Sequence, residues 1–164
     1  MSVSSNRKEL LEKYLAGAGQ FDRYLGKEVA DDLLRFRPDL EDAWSILEHL
    51  AHVLDTEVSS YIRFRTAVAE PGAPVMVYDQ GKWRSLSGAS GQSARQTLEA
   101  FKLLRTLNYG LLKGLEDREW SGFTVQHPQR GRIDLEDLLT IYTGHVDFHL
   151  EYLRRNEELW EKSR

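Results

Sequence analysis

Three long stretches of the chain carry apolar residues at every third or fourth position, the period of a helix with one buried face. They span residues 43–69, 93–115 and 134–162. A shorter helix is predicted over residues 6–16, ended by the run Gly17-Ala18-Gly19, and one or two further turns are expected within residues 20–36. The pattern therefore predicts four helices of bundle length.

Polar residues that can accept a hydrogen bond from the first backbone amides precede each long helix. Asp42 or Asp39 is expected to cap the first long helix, and Ser93 or Ser90 the second. Asp134 is expected to cap the third. The predicted buried stripes are Leu47, Leu50, Leu54, Val58 and Tyr61 on the first; Leu98, Phe101, Leu104, Leu107, Leu111 and Leu115 on the second; and Leu135, Leu138, Ile141, Tyr142, His145, His149, Tyr152 and Leu153 on the third.

Two irregular stretches separate the long helices. Residues 71–92 are rich in Gly, Pro and Ser and form a connection of about twenty residues, a length at which loops are usually functional or disordered. Tyr78 and Trp83 within it favour an ordered crossover. The second stretch spans residues 121–132. Four helices with one long crossover predict an all-α, four-helix bundle, with residues 1–164 as a single domain.

Composition narrows the possible functions. The chain of 164 residues has no cysteine, which excludes disulfides, thiolate zinc sites, iron–sulfur clusters and a cysteine nucleophile. A net charge of −4 argues against a nucleic-acid partner. No apolar run has the length of a membrane span, and residues 1–6 lack the apolar segment of a signal peptide. The expected location is therefore the cytoplasm, without a membrane partner.

The pair His145 and His149 is the most informative chemical feature. Residues four apart lie one turn apart on the same helix face, and both histidines fall in the middle of the predicted apolar stripe. Two polar rings placed there need partners, and a shared metal ion would satisfy both. The alternative is a pair of buried histidines that hydrogen-bond to a tyrosine or a carboxylate. Val146 follows His145, so the HExxH motif of zinc proteases is absent.

A third ligand is expected from a facing helix, where His49 and His52 lie three residues apart. His52 projects at the edge of the apolar stripe, whereas His49 projects further toward the polar side and is expected to be solvated. Position therefore mildly favours His52. His127 precedes a proline in a loop and is interpreted as structural.

Several short motifs occur in a characteristic order. They are Trp44-Ser45-Ile46, His52-Val53-Leu54-Asp55, Tyr61-Ile62-Arg63-Phe64, Tyr78-Asp79 with Trp83, His127-Pro128-Gln129-Arg130-Gly131, Leu135-Glu136-Asp137-Leu138-Leu139, and the pair His145 and His149. By this order and spacing, over about residues 35–155, the chain resembles the DinB/YfiT-like superfamily.

The resemblance implies a four-helix bundle that binds a divalent metal, commonly nickel or zinc, through three histidines. Carried over by position from Trp44, the ligands are His52, His145 and His149. Members of the family are regarded as metal-dependent hydrolases, and some branches are S-transferases that use low-molecular-weight thiols such as bacillithiol or mycothiol. A homodimer is also implied. Many members carry histidine where Phe148 stands here, so the pocket wall is expected to differ.

Three neutral imidazoles would leave the charge of the metal uncompensated and at least one coordination position open, as in catalytic sites. Such a metal lowers the pKa of bound water toward ~7, and it deprotonates a bound thiol for the same reason. Asp55, one turn after His52, is expected to orient that imidazole or to act as a base, unless it is simply a solvated carboxylate. Arg63 is expected to bind a substrate carboxylate, with an ordinary salt bridge as the alternative.

The expected function is a metal-dependent enzyme acting on a small molecule, either a hydrolase or a thiol S-transferase. In the second case a low-molecular-weight thiol would be the cosubstrate. The alternative is a non-catalytic, metal-stabilised dimeric module for binding or stress response. A metal-free bundle with hydrogen-bonded histidines is a third possibility, and it predicts no effect of metal on stability.

Overall fold

A computed structural model describes residues 3–26, 29–87 and 93–164, with side chains from residue 6 onward. Its elements are α1 (Val3–Ala16), a 3-10 helix (Gly17–Leu25), α2 (Asp31–Arg35), α3 (Ile46–Ala69), α4 (Gln80–Ser87), α5 (Ala94–Lys113), β1 (Thr124–His127), β2 (Gly131–Asp134) and α6 (Leu135–Lys162). Helices α3 and α1 each pack against both α5 and α6. This arrangement confirms the predicted all-α four-helix bundle.

The start of α3 differs from the prediction. Ser45 caps the helix, because its hydroxyl accepts from the amide of Glu48 at 3.3 Å and its own amide donates to the Glu48 carboxylate at 2.8 Å. This reciprocal pair is a capping box. The predicted caps Asp42 and Asp39 are therefore wrong, and Asp42 instead adopts a positive φ of 53° in the preceding turn.

The other two long helices begin where the sequence predicts. Ser93 caps α5 in a second capping box with Gln96, while Ser90 lies outside the described residues. Asp134 caps α6, since its side chain accepts from the amides of Glu136 and Asp137 at 3.1 and 2.9 Å. Both caps define the first residue of their helix, and therefore which side chains of that helix point to the core.

Helix α1 ends at Ala16, as predicted, and the glycines that follow lie in a 3-10 helix that continues to Leu25. A β-carbon at Gly17 would lie 3.3 Å from Nη1 of Arg105 and 3.5 Å from Val146. Glycine therefore permits the start of the 3-10 helix to lie close to side chains of α5 and α6.

The crossover and the stretch 121–132 are more regular than predicted. The crossover contains α4, which confirms an ordered path as far as residue 87, and residues 88–92 lie outside the described part. The second stretch contains the antiparallel hairpin β1–β2, whose turn uses Gly131 at φ +72°. Pro74 bridges to Gln126, so the beginning of the crossover is tied to the hairpin.

The buried face of α5 differs from the predicted stripe at one position, while Leu98 and Phe101 are buried as predicted. Leu107 is 47% exposed, whereas Arg105 and Asn108 are fully buried. On α3, Val58 is likewise 40% exposed and Glu57 is buried. The physical reason is a polar network that occupies the middle of the bundle and draws these side chains inward.

In this network Asn108 donates to the Glu57 carboxylate at 3.0 Å and to the Ser60 hydroxyl at 2.8 Å. Tyr14 of α1 also donates to Glu57. The Glu57 carboxylate lies 3.8 Å from Nε of Arg105. The network fixes α1, α3 and α5 relative to one another between two apolar clusters of the core. None of the helices in the described ranges is both long and apolar enough to cross a membrane.

Candidate metal centre

His52 on α3 meets His145 and His149 of α6 at the bundle interior. Nε2 of His145 lies 3.2 Å from Nε2 of His52 and 3.0 Å from Nε2 of His149. One ring nitrogen from each of the three residues can be chosen so that all lie within 4.8 Å of one another. The structure thus brings together the three histidines that the sequence singles out.

Burial keeps these imidazoles neutral. It lowers the pKa of His52 to about 4, that of His145 to about 3 and that of His149 to about 2, and in the last two the neighbouring histidines add to the effect. At neutral pH each ring therefore carries one N–H and one nitrogen lone pair. Unprotonated imidazole is the form that binds metal ions.

The geometry of the three Nε2 atoms fits a cation better than hydrogen bonds alone. Two nitrogens crowd against Nε2 of His145, which offers either one lone pair or one N–H. That single group cannot make a good hydrogen bond to both neighbours. Three lone pairs directed at one cation remove the conflict, and tetrahedral zinc is held in this way by three imidazoles in catalytic sites.

The start of α3 is fixed by side chains, and this positions His52. Arg37 binds the Glu48 carboxylate through Nε at 2.9 Å and Nη2 at 2.5 Å, and so supports the residue that closes the capping box. Asn156 of α6 donates to the carbonyl oxygen of Trp44 at 2.6 Å. The two helices that carry the three histidines are thereby joined beside the site.

His49 was expected to be solvated, and this expectation is wrong. The residue is only 4% exposed, and its Nδ1 lies 2.9 Å from Nδ1 of His149. Its ring lies against Trp44 and Tyr152, with centroid distances of 5.2 and 5.3 Å. Burial and then the charge of Arg155 lower the pKa of His49 to about 3.

The contact defines a role for His49 toward His149. If Nε2 of His149 holds a metal, its proton lies on Nδ1 and is donated to Nδ1 of His49. The proton of His49 then lies on Nε2, a buried atom without a hydrogen-bond partner among the described residues. The role of His49 could not be predicted from the sequence, because its position relative to the apolar stripe gives no sign of a polar partner on α6.

The variant His49→Phe is expected to bind Zn²⁺ or Ni²⁺ roughly 10–100-fold more weakly than the wild type, because His149 loses the group that orients its ring. Phenylalanine retains the packing against Trp44 and Tyr152, so the melting temperature of the metal-free protein should change little. Competition with a chromophoric chelator at pH 7.5 measures the affinity. His127→Phe is the matched control, and equal affinity of both variants and the wild type would refute the role.

Asp55 lies one turn after His52 on α3, half-buried. Within the described ranges its carboxylate makes no hydrogen bond to an imidazole, and burial raises its pKa. The side chain from this part of α3 that contacts the His52 ring is instead Thr56. Its hydroxyl lies 3.5 Å from Nε2 of His52 and 3.0 Å from the hydroxyl of Tyr78. A role for Asp55 as a base or orienting group stays a prediction.

Arg63 lies on α3 with His52 but borders a different cavity from His52 and His149. Its Nη1 donates to the hydroxyl of Tyr142 at 3.0 Å and its Nη2 to the carbonyl of Met76 at 2.8 Å. It lines a cavity of about 190 Å³ that also reaches His145. The ordinary salt bridge considered as its alternative role does not occur with any described residue.

A larger cavity of about 480 Å³ opens directly onto the three histidines. We call it the metal-side cavity. Trp44, Phe148 and Tyr152 form its aromatic wall. Phe148 is half exposed and presents its ring at 89° to that of His149, with the centroids 5.2 Å apart. A small molecule placed here would have one face on aromatic rings and one on the histidines.

Comparison with known proteins finds relatives that are named for metal dependence. The model of the DinB superfamily matches residues 22–153. A relative from Bacillus subtilis (strain 168), named "Putative metal-dependent hydrolase YfiT", is 27% identical over 128 residues, which are 77% of this chain and 71% of that protein. A relative from Bacillus mycoides (strain KBAB4) with the same functional designation is 24% identical over 153 residues, 92% of this chain and 87% of its own.

A solved structure also shares the fold. The structure of YfiT from Bacillus subtilis, described as having an unusual four-helix bundle topology, superposes with a TM-score of 0.78. The match covers 96% of this chain and 89% of that one, at 22% sequence identity. At this identity the likeness establishes the common fold.

Proposed function

Because the chain belongs to the DinB superfamily, we propose that it is a metal-dependent enzyme acting on a small molecule, with a divalent metal held by His52, His145 and His149. The observation that carries this proposal is the convergence of three neutral imidazoles beside the metal-side cavity. The names of the relatives support hydrolysis as the class of reaction.

A divalent metal at this site would lower the pKa of a water or thiol and so supply a nucleophile at neutral pH. The three imidazoles contribute no negative charge, so they preserve the Lewis acidity on which this effect depends. His49 holds the ring of His149 in place, and the aromatic wall excludes water from one side. The group of potential ligands found among the described residues has three members, which supports an open coordination position.

Nickel and zinc are the metals proposed, since both accept imidazole ligands readily. Elemental mass spectrometry of untagged protein purified from its native host would identify the ion. One equivalent of either metal agrees with the proposal. A different metal at one equivalent would show that nickel and zinc are wrong, and the three histidines would remain the proposed ligands.

Transfer of a low-molecular-weight thiol is the second candidate reaction. It is supported by the group of possible ligands among the described residues, three neutral histidines, because a metal held without negative charge favours ionisation of a bound thiol. The thiol would attack an electrophile such as an epoxide or an activated halide. A carbon–sulfur bond would form as the carbon–oxygen bond of the epoxide, or the carbon–halogen bond of the halide, breaks.

The two reactions are distinguished by paired assays of the zinc- and nickel-loaded protein. One assay follows hydrolysis of a panel of small esters, amides and lactones, and the other follows loss of an epoxide or aryl halide in the presence of cysteine or a similar thiol. Turnover that requires metal and is lost in His52→Ala supports an enzyme of the corresponding class. Activity that persists in the metal-free protein would contradict the proposed mechanism.

A non-catalytic metal-stabilised module remains the alternative, and the state of the coordination sphere distinguishes it. Nickel bound with an open position should enhance the relaxation of bulk water protons, because a water can exchange there. Relaxation no greater than that of a nickel complex with all positions filled by protein would favour the structural role. The homodimer also stays a prediction, to be measured by sedimentation equilibrium.

A further inference from the structure

The cavity of about 190 Å³ beyond His145 differs chemically from the metal-side cavity. Its lining includes Arg63, Arg130, His127, Tyr78 and Tyr142. His145 lines both cavities, so the smaller one begins where the three-histidine cluster ends. We call it the arginine-side cavity. It is rich in hydrogen-bond donors and has space for a small group of a few heavy atoms.

The arginine-side cavity has no acidic side chain among the described residues that line it. Among the described residues, Arg63 donates to a tyrosine hydroxyl and a backbone carbonyl, which are neutral acceptors. Arg130 forms no ion pair with any residue in the described part of the chain. Neither guanidinium is therefore neutralised by an ion pair within the described part of the chain.

The positive charges of this cavity also act on the pKa values of neighbouring groups. Burial lowers the pKa of His127, and the charges of Arg63 and Arg130 lower it further. Burial raises the pKa of Tyr142 to about 12, while Arg63 opposes the rise. Tyr142 accepts its hydrogen bond from Arg63, so its own proton remains available to a ligand.

The two cavities share His145, so one small molecule can extend from one into the other. Arg63 follows His52 by eleven residues on α3, about 16 Å along the helix axis. Long side chains lean toward the helix N-terminus, so the Arg63 guanidinium approaches the histidines more closely than its backbone does. Tyr142, its partner, lies a single turn before His145 on α6.

We propose that the arginine-side cavity binds a carboxylate of the substrate through Arg63, Arg130 and the Tyr142 hydroxyl while the reacting end of the molecule lies at the three histidines. This inference rests on the proposed function for the reacting end only. The guanidinium fork suits a planar carboxylate, and the uncompensated charges favour an anion over a neutral group of equal size. The substrate class is therefore a small carboxylic acid whose reactive group is several bonds from the carboxylate.

The first arm of the test uses full-length protein without metal, so that a carboxylate cannot bind a metal instead. Hexanoate is titrated at pH 7.5 and low salt, and binding is followed by two-dimensional NMR. Hexanoate should bind more tightly than hexylammonium. Arg63→Gln should weaken its binding by about tenfold, the loss of one charge-assisted hydrogen bond. Arg130→Gln, at an exposed position that should not affect folding, should weaken it severalfold.

Arg155→Gln is the matched control, since Arg155 lines the metal-side cavity instead. It should bind hexanoate as the wild type does. The proposal is overturned if hexanoate does not bind, or if it binds equally to wild type, Arg63→Gln and Arg130→Gln. Selective loss in Arg155→Gln would place the anion in the metal-side cavity and would also overturn it.

The second arm uses cobalt-loaded protein and matched pairs of ω-mercapto acids and ω-mercapto alcohols of increasing chain length. Thiol binding is read from the absorption of cobalt. At one length the acid should bind about tenfold more tightly than the alcohol, and Arg63→Gln should remove the preference. Equal binding of acid and alcohol at every length overturns the carboxylate site and leaves the metal site intact. If no thiol binds to the cobalt while hexanoate binding still depends on Arg63, the thiol-transfer candidate of the proposed function fails and the anion site stands.

Discussion

His145→Ala is expected to lower the metal content of the purified chain from near one equivalent to near zero. Nε2 of His145 is the central atom of the cluster, at 3.2 Å from Nε2 of His52 and 3.0 Å from Nε2 of His149. Structural zinc sites with four ligands bind with about 10–16 kcal/mol, which divides into several kcal/mol per ligand. Loss of one ligand should therefore weaken binding by on the order of a hundredfold or more.

The measurement is elemental mass spectrometry of untagged protein after loading with Zn²⁺ or Ni²⁺ and gel filtration. His127→Ala is the control, because His127 is also buried but lies outside the three-histidine group. Metal should raise the melting temperature of the wild type and of this control but not that of His145→Ala, since only binding to the folded state stabilises it. A full equivalent retained by folded His145→Ala would show that the metal is held elsewhere.

The sequence predicted the three-histidine cluster because of where its members fall on their helices. His145 and His149 interrupt an apolar stripe, and a polar ring at such a buried position is uncommon because it needs a partner. His52 was separated from His49 by the spacing from Trp44 that the family resemblance supplied. His49 itself was misjudged, because its contact with His149 joins residues 100 positions apart. Periodicity along one helix contains no information about such a partner.

The same limit explains why Leu107 was wrongly assigned to the interior face of α5. Leucines occur on two sides of this helix, and Leu103 and Leu107 are exposed while Arg105 and Asn108 are buried. A pattern of apolar positions assigns the leucines to the core by default. What reverses the assignment is Glu57 on α3, whose burial requires partners that can donate hydrogen bonds. Which side of α5 is buried therefore depends on its contacts with α3, and the periodicity of the α5 sequence contains no information about those contacts.

The hairpin was missed for a different reason. Each of its strands has four residues, too few for an alternating pattern to be distinguished from an irregular loop. Its pairing with the crossover at Pro74 joins two segments that are distant in the sequence. This junction matters for the site, because the chain then runs directly to Met76, whose carbonyl holds Arg63 over the arginine-side cavity.

The free energy of unfolding of the metal-free protein is expected to fall as the pH decreases below about 6.5. In the folded state the pKa values of His49, His52, His145 and His149 are lowered to about 3, 4, 3 and 2, whereas in the unfolded chain each is about 6.5. Between these limits the unfolded chain binds more protons than the folded one. Stability therefore rises with pH across this window and becomes constant above it.

The effect should be large because four groups act in the same direction. Each imidazole contributes up to about 1.4 kcal/mol per pH unit within the window, so the slope reports how many are buried and neutral. Urea unfolding at pH 7.5, 6.5, 6.0, 5.5 and 5.0 measures it in a range where most carboxylates remain ionised. The double variant His52→Gln/His149→Gln should lose about half of the slope, because two of the four titrating rings are gone. A free energy of unfolding that is independent of pH from 7 to 5 in the metal-free wild type would mean that the cluster is open to water, and the low-dielectric site on which the proposed chemistry depends would not exist.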